Sequence, residues 1–277
     1  MHTSHRHNSM FNVQLISLER AVDRREALKI RGLPHEWVDS FFPGTAGTQL
    51  TQDALESQFD LASMSQRYGR SPLAGELGCA ISHRRAYSAF LQTNCQWCLM
   101  LEDDVIPPQG GPNSHMARIQ QLLGPLKNAR GPTFIHLGIR AYQFYISQPQ
   151  LIIALSVLFR RHRIFRLGEQ SHLWLAHAYL VNRAMAERLI QRTPISLLAD
   201  DWSGLLQGDG TDVFCCWPPL FAQDPDIKSQ IGGTFTSNAA PTSTSSLKFV
   251  SSRIGNKLWR ASVVLRSMIN GVRIKHE

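Results

Sequence analysis

The sequence has no apolar segment long enough to cross a membrane, and its first thirty residues lack the features of a secretory signal. The longest apolar run, residues 151–159, is about half the length that a spanning helix needs. Residues 1–10 are polar and rich in histidine, and the apolar residues 13–18 are too few for the core of a signal peptide. We therefore expect a protein that is made in the cytoplasm and stays there, with residues 1–10 disordered.

Cysteine is scarce. The chain has five cysteines, an odd number that suits a reducing compartment and argues against a disulfide framework. Cys95 and Cys98 form a C-x-x-C pair, but the adjacent Cys215 and Cys216 lack the spacing of a second zinc-binding pair. We expect neither a zinc site nor a redox role for these four cysteines.

Negative charge is in the minority, since 29 lysines and arginines face 21 aspartates and glutamates, for a net charge of +8. The basic residues concentrate at residues 160–163 and between residues 253 and 275, without interleaved aromatic side chains. This distribution favours an anionic membrane surface over a nucleic acid as partner. Residues 231–247 have the composition of a flexible linker. Residues 248–277 predict a basic amphipathic helix, which is either solvated or packed, or contacts a membrane.

The order of patterns along residues 11–230 indicates an α/β domain, and 277 residues with 43% hydrophobic composition suffice for a full core. Residues 12–18 predict a strand, a helix follows Asp23, and residues 35–42 predict a second strand. Strand, helix, strand is the start of a layered α/β domain. Polar residues 43–71 predict a loop with one short helix, long enough to have a function.

Three consecutive carboxylates, Glu102, Asp103 and Asp104, follow the apolar residues 99–101. The apolar stretch is short enough to be a buried strand. Because ionised carboxylates are costly to bury without partners, they should emerge where that strand ends. Hard divalent cations such as Mg²⁺ and Mn²⁺ take such oxygen ligands and complete their shell with phosphate oxygens. The run therefore predicts a site for a metal-bound phosphate ligand.

Further elements are predicted on both sides of this run. Residues 75–92 predict a helix from which His83 and Arg84 project near the following strand. Asp200 and Asp201 precede a short helix, where a carboxylate commonly acts as the cap. The remaining strands and helices are predicted at residues 133–138, 177–181 and 213–217, and at residues 116–126 and 183–191.

In this order the segments resemble glycosyltransferase family 25, the bacterial lipooligosaccharide and lipopolysaccharide transferases related to the collagen galactosyltransferases. Each block is weak alone, but the ordered combination is specific. At Ser17 the family usually has Asn, and at Leu175-Ala176 it usually has Gly-Thr. The resemblance spans roughly residues 11–225 and rests on residues 13–20 and 23–25, residues 73–83 with Gly-Glu-Leu-Gly-Cys and Ser-His, the Leu-Glu-Asp-Asp-Val run 101–105, residues 177–179, Asp200-Asp201 and residues 219–223.

The resemblance implies a GT-A fold, which is an α/β, Rossmann-like domain with a mixed, mostly parallel sheet flanked by helices. It also implies an inverting transfer that depends on a divalent metal, Mn²⁺ or Mg²⁺, with a UDP-sugar as donor, most often UDP-galactose. The implied acceptor is a lipid-linked saccharide of lipopolysaccharide biosynthesis. That acceptor would place the protein at the inner face of the cytoplasmic membrane.

For such a transfer, Glu102 and Asp104 are the predicted metal ligands, because positions i and i+2 of a strand face the same side. Asp103 either points elsewhere or, where the strand frays, contacts the ribose or sugar or ligates the metal itself. Asp200 and Asp201 are candidates for the base that accepts the acceptor's proton, since adjacent carboxylates raise each other's pKa. The resemblance favours Asp200.

Four basic side chains are predicted to contact the donor. His83 and Arg84 are assigned to its phosphate or sugar, and Arg20 and Arg24 to its nucleotide. The common alternative for a helical histidine such as His83 is a structural or solvent-exposed position.

Two other classes of function compete with this interpretation. A metal-dependent nucleotidyl- or phosphotransferase would use the same acidic run, but it normally brings a glycine-rich phosphate loop, and the sequence has no Walker-type run. The second alternative is a non-catalytic or degenerate basic protein that binds a membrane surface or carbohydrate, in which the acidic run is structural.

Overall fold

The computed structural model of the chain describes residues 11–138, 162–167, 173–208 and 210–224. Three predicted segments lie outside these residues: the N-terminal segment 1–10, the linker 231–247 and the amphipathic helix 248–277. For these three segments the sequence-based expectations stay predictions.

The described residues alternate between short strands and helices. The strands are β1 (Phe11–Ser17), β2 (Phe42–Pro43), β3 (Trp97–Glu102), β4 (Val105–Ile106), β5 (Thr133–His136), β6 (Arg163–Arg166), β7 (Ala178–Asn182), β8 (Asp212–Trp217) and β9 (Ala222–Gln223). The α-helices are α1 (Val22–Ile30), α2 (His35–Asp39), α3 (Gln52–Gln58), α4 (Leu61–Tyr68), α5 (Ala74–Leu91), α6 (Pro112–Leu123), α7 (Arg183–Gln191) and α8 (Trp202–Leu205), with 3₁₀ turns at Gly47–Gln49 and Gly124–Leu126.

Seven strands form one mixed sheet in the order β2-β1-β3-β7-β5-β8-β6. β7 and β6 are antiparallel to their neighbours, so they run opposite to the other five strands. β4 and β9 form a separate antiparallel pair. A mixed, mostly parallel sheet with helices on its faces confirms the predicted α/β, GT-A-like fold.

The sheet lies between two apolar layers, and β3 at its centre supplies both. Leu99 and Leu101 face the layer formed with α1, α2 and α6. Cys98 and Met100 face the layer formed with α5 and α7. Because both faces are covered, the strand reads as a continuous apolar run rather than an alternating one. Glu102 follows on the α5 side, which decides its partners.

The second strand predicted at residues 35–42 is wrong for most of its length. Residues His35–Asp39 form α2, and only Phe42–Pro43 pair with β1. Pro34 at the start suits a helix N-terminus, and Glu36 lies in the first turn. Trp37 and Val38 are both buried. Two adjacent residues can both lie on the buried side of a helix, whereas adjacent residues of an alternating strand point to opposite faces of the sheet.

The predicted loop at residues 43–71 contains more helix than expected. The helices α3 and α4 both lie within it, and their N-termini are capped by the side chains of Thr51 and Asp60. They complete a third apolar cluster with α5, in which Phe59 and Met64 are buried. The strand β6 is a further element that the sequence patterns did not predict.

Leu175, just before β7, has a left-handed backbone conformation with a φ of +77°. Its carbonyl oxygen accepts hydrogen bonds from His136 Nε2 and Trp202 Nε1, at 3.0 and 2.9 Å. These bonds hold a conformation that glycine adopts freely and that costs other residues about 1–2 kcal/mol.

Glycine at position 175 is therefore expected to give a more stable protein than alanine there, by about 1 kcal/mol. Both changes remove the leucine side chain, so the difference between Leu175→Gly and Leu175→Ala isolates the backbone strain. Urea unfolding of the two variants measures it. Since glycine elsewhere is less stable than alanine, an alanine variant of equal or greater stability would contradict the assignment.

Candidate functional site

A cleft of about 330 Å³ opens at the carboxyl ends of β1 and β3, the edge where ligands bind in open α/β sheets. Ile16 near the end of β1 lies beside Glu102 at the end of β3. The loop of residues 44–48 and the first turns of α5 form the opposite wall. The cleft is thus built from four segments that are distant in sequence.

Two glycines let the loop wall lie directly on α5. A Cβ atom at Gly47 would be 1.5 Å from the carbonyl oxygen of Ala74. A Cβ at Gly78 would be 2.5 Å from the Gly47 nitrogen and the Thr45 oxygen. The Thr45 amide also donates to Ser82 Oγ at 2.7 Å. This close backbone approach fixes the position of the loop wall against α5.

Glu102, Asp103 and Asp104, which we call the acidic turn, lie at the cleft floor. Glu102 is the last residue of β3, whereas Asp103 and Asp104 form a turn that leads into β4. Strand alternation therefore does not extend to Asp104, and that reason for pairing it with Glu102 is corrected. The turn nevertheless brings both carboxylates to the same cleft.

Asp103 is held by the chain itself. Its Oδ2 accepts a hydrogen bond from Ser17 Oγ at 2.7 Å, and its Oδ1 accepts one from Arg24 at 2.7 Å. Arg25 donates to Ser17 Oγ and to two backbone carbonyls after β1. Both Asp103 oxygens thus tie the acidic turn to β1 and α1. This geometry does not support the predicted contact of Asp103 with the ribose or sugar of the donor substrate.

Asp104 is held from the other side by the last described strand. Gln223 Nε2 donates to its Oδ2 at 2.9 Å, and the Asp224 amide donates to its carbonyl oxygen at 2.8 Å. Its Oδ1 is buried, and no hydrogen-bond donor within the described ranges reaches it. Burial, followed by the negative charge of Glu102, raises the pKa of Asp104 to about 7.

These features of the acidic turn fit a hard divalent cation. Two neighbouring carboxylates, Glu102 and Asp104, repel each other, and a buried oxygen of Asp104 lacks a protein donor. A cation beside them would satisfy that oxygen and turn the repulsion into attraction. Glu102 and Asp104 are thus suited to hold a metal such as Mn²⁺ or Mg²⁺.

Glu102 is oriented by a chain of hydrogen bonds that runs into the core. Its Oε1 lies 2.9 Å from His83 Nε2, His83 Nδ1 lies 2.6 Å from the Tyr179 hydroxyl, and that hydroxyl lies 2.6 Å from the Tyr87 hydroxyl. Burial would raise the pKa of Glu102, but hydrogen bonding and charge from His83 outweigh it and lower the pKa. His83 is only 2% exposed, so it positions Glu102 instead of contacting the donor as predicted.

Cys79 adds a thiol to this group. It lies one helical turn before His83 and lines the cleft, with Sγ 3.5 Å from Glu102 Oε1. Burial, and then the charges of Glu102 and Asp200, raise the pKa of its thiol well above the usual value. The sequence interpretation missed Cys79, although the spacing Cys-x₃-His places both side chains on one helix face.

Arg20 and Arg24 line the cleft near the acidic turn, and their contact with a nucleotide stays a prediction. Arg84 does not line the cleft. Its guanidinium donates to the carbonyl oxygens of Ile190 and Arg192 at the end of α7, beside a separate cavity of about 50 Å³. The predicted contact of Arg84 with the donor is corrected, because this side chain binds the C-terminus of a helix.

The adjacent aspartates after residue 199 have different environments. Asp201 is fully buried, pairs with Arg67, accepts from the Tyr68 hydroxyl at 2.8 Å and caps α8 through the Gly204 amide. These partners make Asp201 structural, so its predicted role as a base is corrected. Asp200 is half-buried, and burial followed by the charge of Glu102 raises its pKa to about 6. Asp200 alone of the two combines partial exposure with a pKa in the range of a base.

The four cysteines other than Cys79 do not line this cleft. All five cysteines of the chain are unbridged, and Cys98, Cys215 and Cys216 are buried in the two apolar layers. Across the described part of the chain, none of the helices has the length and apolar character to cross a membrane.

Comparison with known proteins gives two findings. A family model described as "Glycosyltransferase family 25 (LPS biosynthesis protein)" matches residues 10–202. A curated Aedes aegypti protein named "Glycosyltransferase 25 family member" is 25% identical over 198 residues, which are 68% of this chain and 29% of that protein. The chain therefore spans less than a third of the length of this relative. The matched region includes the acidic turn, α5 and Asp200.

Proposed function

Because the chain belongs to glycosyltransferase family 25, we propose that it transfers galactose from UDP-galactose to a lipid-linked saccharide, with inversion and with a divalent cation. The observation that carries this proposal is the acidic turn: Glu102 and Asp104 line one cleft, and one Asp104 oxygen is buried without a donor from the described residues. Asp200 does not line the cleft, but it lies close enough to Glu102 for that negative charge to raise its pKa. An inverting transfer is a single displacement at the anomeric carbon. It needs a stabilised leaving group, a base and alignment of the two reactants.

The leaving diphosphate is assigned to the acidic turn. A Mn²⁺ or Mg²⁺ ion held by Glu102 and Asp104 would neutralise the charge that builds on the departing diphosphate. Arg20 and Arg24 line the same cleft, and guanidinium groups suit phosphate oxygens. Asp103 fixes Arg24 through their 2.7 Å ion pair, so we assign Asp103 a positioning role.

The base is assigned to Asp200. Its carboxylate would accept the proton of the acceptor hydroxyl as that oxygen attacks the anomeric carbon. A pKa near 6 leaves it ionised at neutral pH yet basic enough to take a proton. Asp201, the next residue, holds this segment in place through Arg67 and Tyr68.

The acceptor and its location extend the proposal. The matched family model is described as an LPS biosynthesis protein, which supports a lipooligosaccharide or lipopolysaccharide acceptor. Such an acceptor is anchored in a bilayer. We assign the basic segment 248–277 to an anionic membrane surface, which would hold the enzyme at the inner face of the cytoplasmic membrane.

A panel of UDP-sugars tests the proposal. UDP-galactose, UDP-glucose and their N-acetylated forms are each incubated with the full chain in Mn²⁺, Mg²⁺ or EDTA, and release of UDP is measured. We expect turnover of UDP-galactose above the other donors with Mn²⁺ or Mg²⁺. With EDTA, we expect turnover to fall by at least about 100-fold, because the diphosphate charge is no longer neutralised.

Heat-denatured protein provides the blank, and re-addition of Mn²⁺ after EDTA checks that the loss is reversible. Faster turnover of another UDP-sugar would overturn the galactose assignment alone. Equal turnover in EDTA would overturn the metal assignment. Binding of UDP-sugars without any turnover would favour the degenerate, carbohydrate-binding alternative.

A further inference from the structure

Cys79, His83 and Glu102 place three different metal-binding atoms at one point of the cleft wall. Cys79 and His83 lie four residues apart on α5, and Glu102 ends β3. Their Sγ, imidazole nitrogen and carboxylate oxygen all lie within 4.8 Å of one another. Ligand atoms that share one tetrahedral Zn²⁺ ion are about 3.3–3.6 Å apart, so small side-chain shifts suffice to bind it.

The set of donors selects a different ion from the one assigned to the acidic turn. Thiolate and imidazole ligands suit Zn²⁺, whereas Mn²⁺ and Mg²⁺ favour oxygen ligands. From this chemistry we propose that Cys79, His83 and Glu102 form an inhibitory Zn²⁺ site. Zn²⁺ bound there takes Glu102 away from the catalytic cation. The inhibition, though not the binding, rests on the proposed function.

The surroundings of His83 are those of a metal-ligating histidine. Its Nδ1 is 2.6 Å from the Tyr179 hydroxyl, which is in turn 2.6 Å from the Tyr87 hydroxyl. Such an outer hydrogen bond fixes the ring and its tautomer. With the proton on Nδ1 and donated to Tyr179, the lone pair of Nε2 is available for Zn²⁺, and the hydrogen bond from Nε2 to Glu102 is given up.

Binding also moves one proton from sulfur. The Sγ–H bond of Cys79 breaks, its proton leaves to solvent and the thiolate binds the ion. Cys79 and Glu102 both line the cleft, so the ion enters from there and a water molecule takes the fourth position.

Cobalt substitution tests the binding. Co²⁺ is added to the full chain, to Cys79→Ser and to Cys95→Ser, whose cysteine is half-buried and outside the cluster. We expect a thiolate-to-cobalt charge-transfer band with the unchanged chain and with Cys95→Ser, and its loss with Cys79→Ser. The band reports sulfur ligation, so the N-terminal histidines do not contribute to it.

Zn²⁺ affinity is measured by competition with a chromophoric chelator, with His2, His5 and His7 replaced by glutamine in all proteins. We expect Cys79→Ser to lower the affinity for Zn²⁺ by at least about 100-fold, because loss of a direct ligand lowers metal affinity more than loss of a residue that only hydrogen-bonds to a ligand. A band or an affinity unchanged in Cys79→Ser would overturn the site.

Inhibition is measured as Zn²⁺ titrations of Mn²⁺-dependent UDP release, each variant relative to its own zinc-free rate. We expect the Zn²⁺ concentration that gives half-maximal inhibition to be at least about tenfold higher for Cys79→Ser than for Cys95→Ser. An equal concentration for the two variants would overturn the inhibitory role. If UDP release fails throughout while the cobalt band is present, the metal site stands and the proposed transfer fails. If release proceeds without the band, the transfer stands and the zinc site is overturned.

Discussion

Asp104→Asn is expected to lower Mn²⁺-dependent sugar transfer by about 10³-fold. The change keeps the size of the side chain and an oxygen for Gln223, but removes the negative charge that would hold the cation. Loss of about 4 kcal/mol of charge stabilisation corresponds to this factor, at tenfold per 1.36 kcal/mol. The rate is measured at saturating donor over a Mn²⁺ titration, in which the variant also needs a higher Mn²⁺ concentration.

The stability of the same variant should change in the opposite direction. The carboxyl of Asp104 has a pKa of about 7 in the folded, metal-free protein and near 3.8 when unfolded. Between about pH 4 and pH 7 the unfolded state holds fewer protons, so the free energy of unfolding falls as pH rises. Asparagine does not ionise, and the metal-free variant should be more stable than the unchanged chain at pH 8.

Asp103→Asn is the matched control for Asp104→Asn. It removes the negative charge of the neighbouring carboxylate, whose two oxygens already accept hydrogen bonds from Ser17 and Arg24. Because those oxygens are not assigned to the cation, we expect the rate of transfer to fall by less than about tenfold. A greater loss of transfer with Asp103→Asn than with Asp104→Asn would reverse the roles assigned within the acidic turn.

Asp200→Asn should reduce transfer by about 10²–10⁴-fold, the contribution of a general base. Mn²⁺ affinity and the KM for the donor should change little, because Asp200 is assigned to the acceptor's proton. In the unchanged chain, transfer should decrease as pH falls through about 6, since protonation of Asp200 removes the base. This acidic limb should be missing from the residual activity of the variant.

Asp201→Asn separates catalysis from stability at the neighbouring position. It leaves Arg67 without its buried carboxylate and weakens the cap of α8, so the free energy of unfolding should fall by about 3 kcal/mol. Transfer per folded molecule should stay within about tenfold of the unchanged chain. If Asp201→Asn stops transfer without loss of stability while Asp200→Asn does not, Asp201 is the base.

The sequence predicts those parts of the site that depend on local pattern. The continuous apolar run before Glu102 identifies a strand covered on both faces, and its end places the carboxylates at the cleft. The helix with His83 is predicted by its periodicity, and α7 agrees in both its bounds with the prediction. The order of these blocks is sufficient for the family, which the family model confirms.

The roles within each block depend on partners far away in sequence, which no local pattern contains. Asp200 and Asp201 look alike until Arg67, 134 residues earlier, is found to bind one of them. Asp103 meets Ser17 across 86 residues, and Asp104 meets Gln223 across 119. The error at residues 35–42 has a different cause: the sequence does not show that the adjacent residues Trp37 and Val38 are both buried, which is the observation that separates a helix from an alternating strand.

The support of Asp104 by Gln223 and Asp224 also has a consequence for the order in which the site forms on the ribosome. The acidic turn is synthesised 119 residues before Gln223. At about 5–20 residues per second, roughly 6–24 s pass between the two. During that time β1 and β3 can already pair, while Asp104 lacks the donors that fix it. A nascent chain can therefore form the β1–β3 pair first, and it acquires a finished cleft floor only after β9 has left the ribosome.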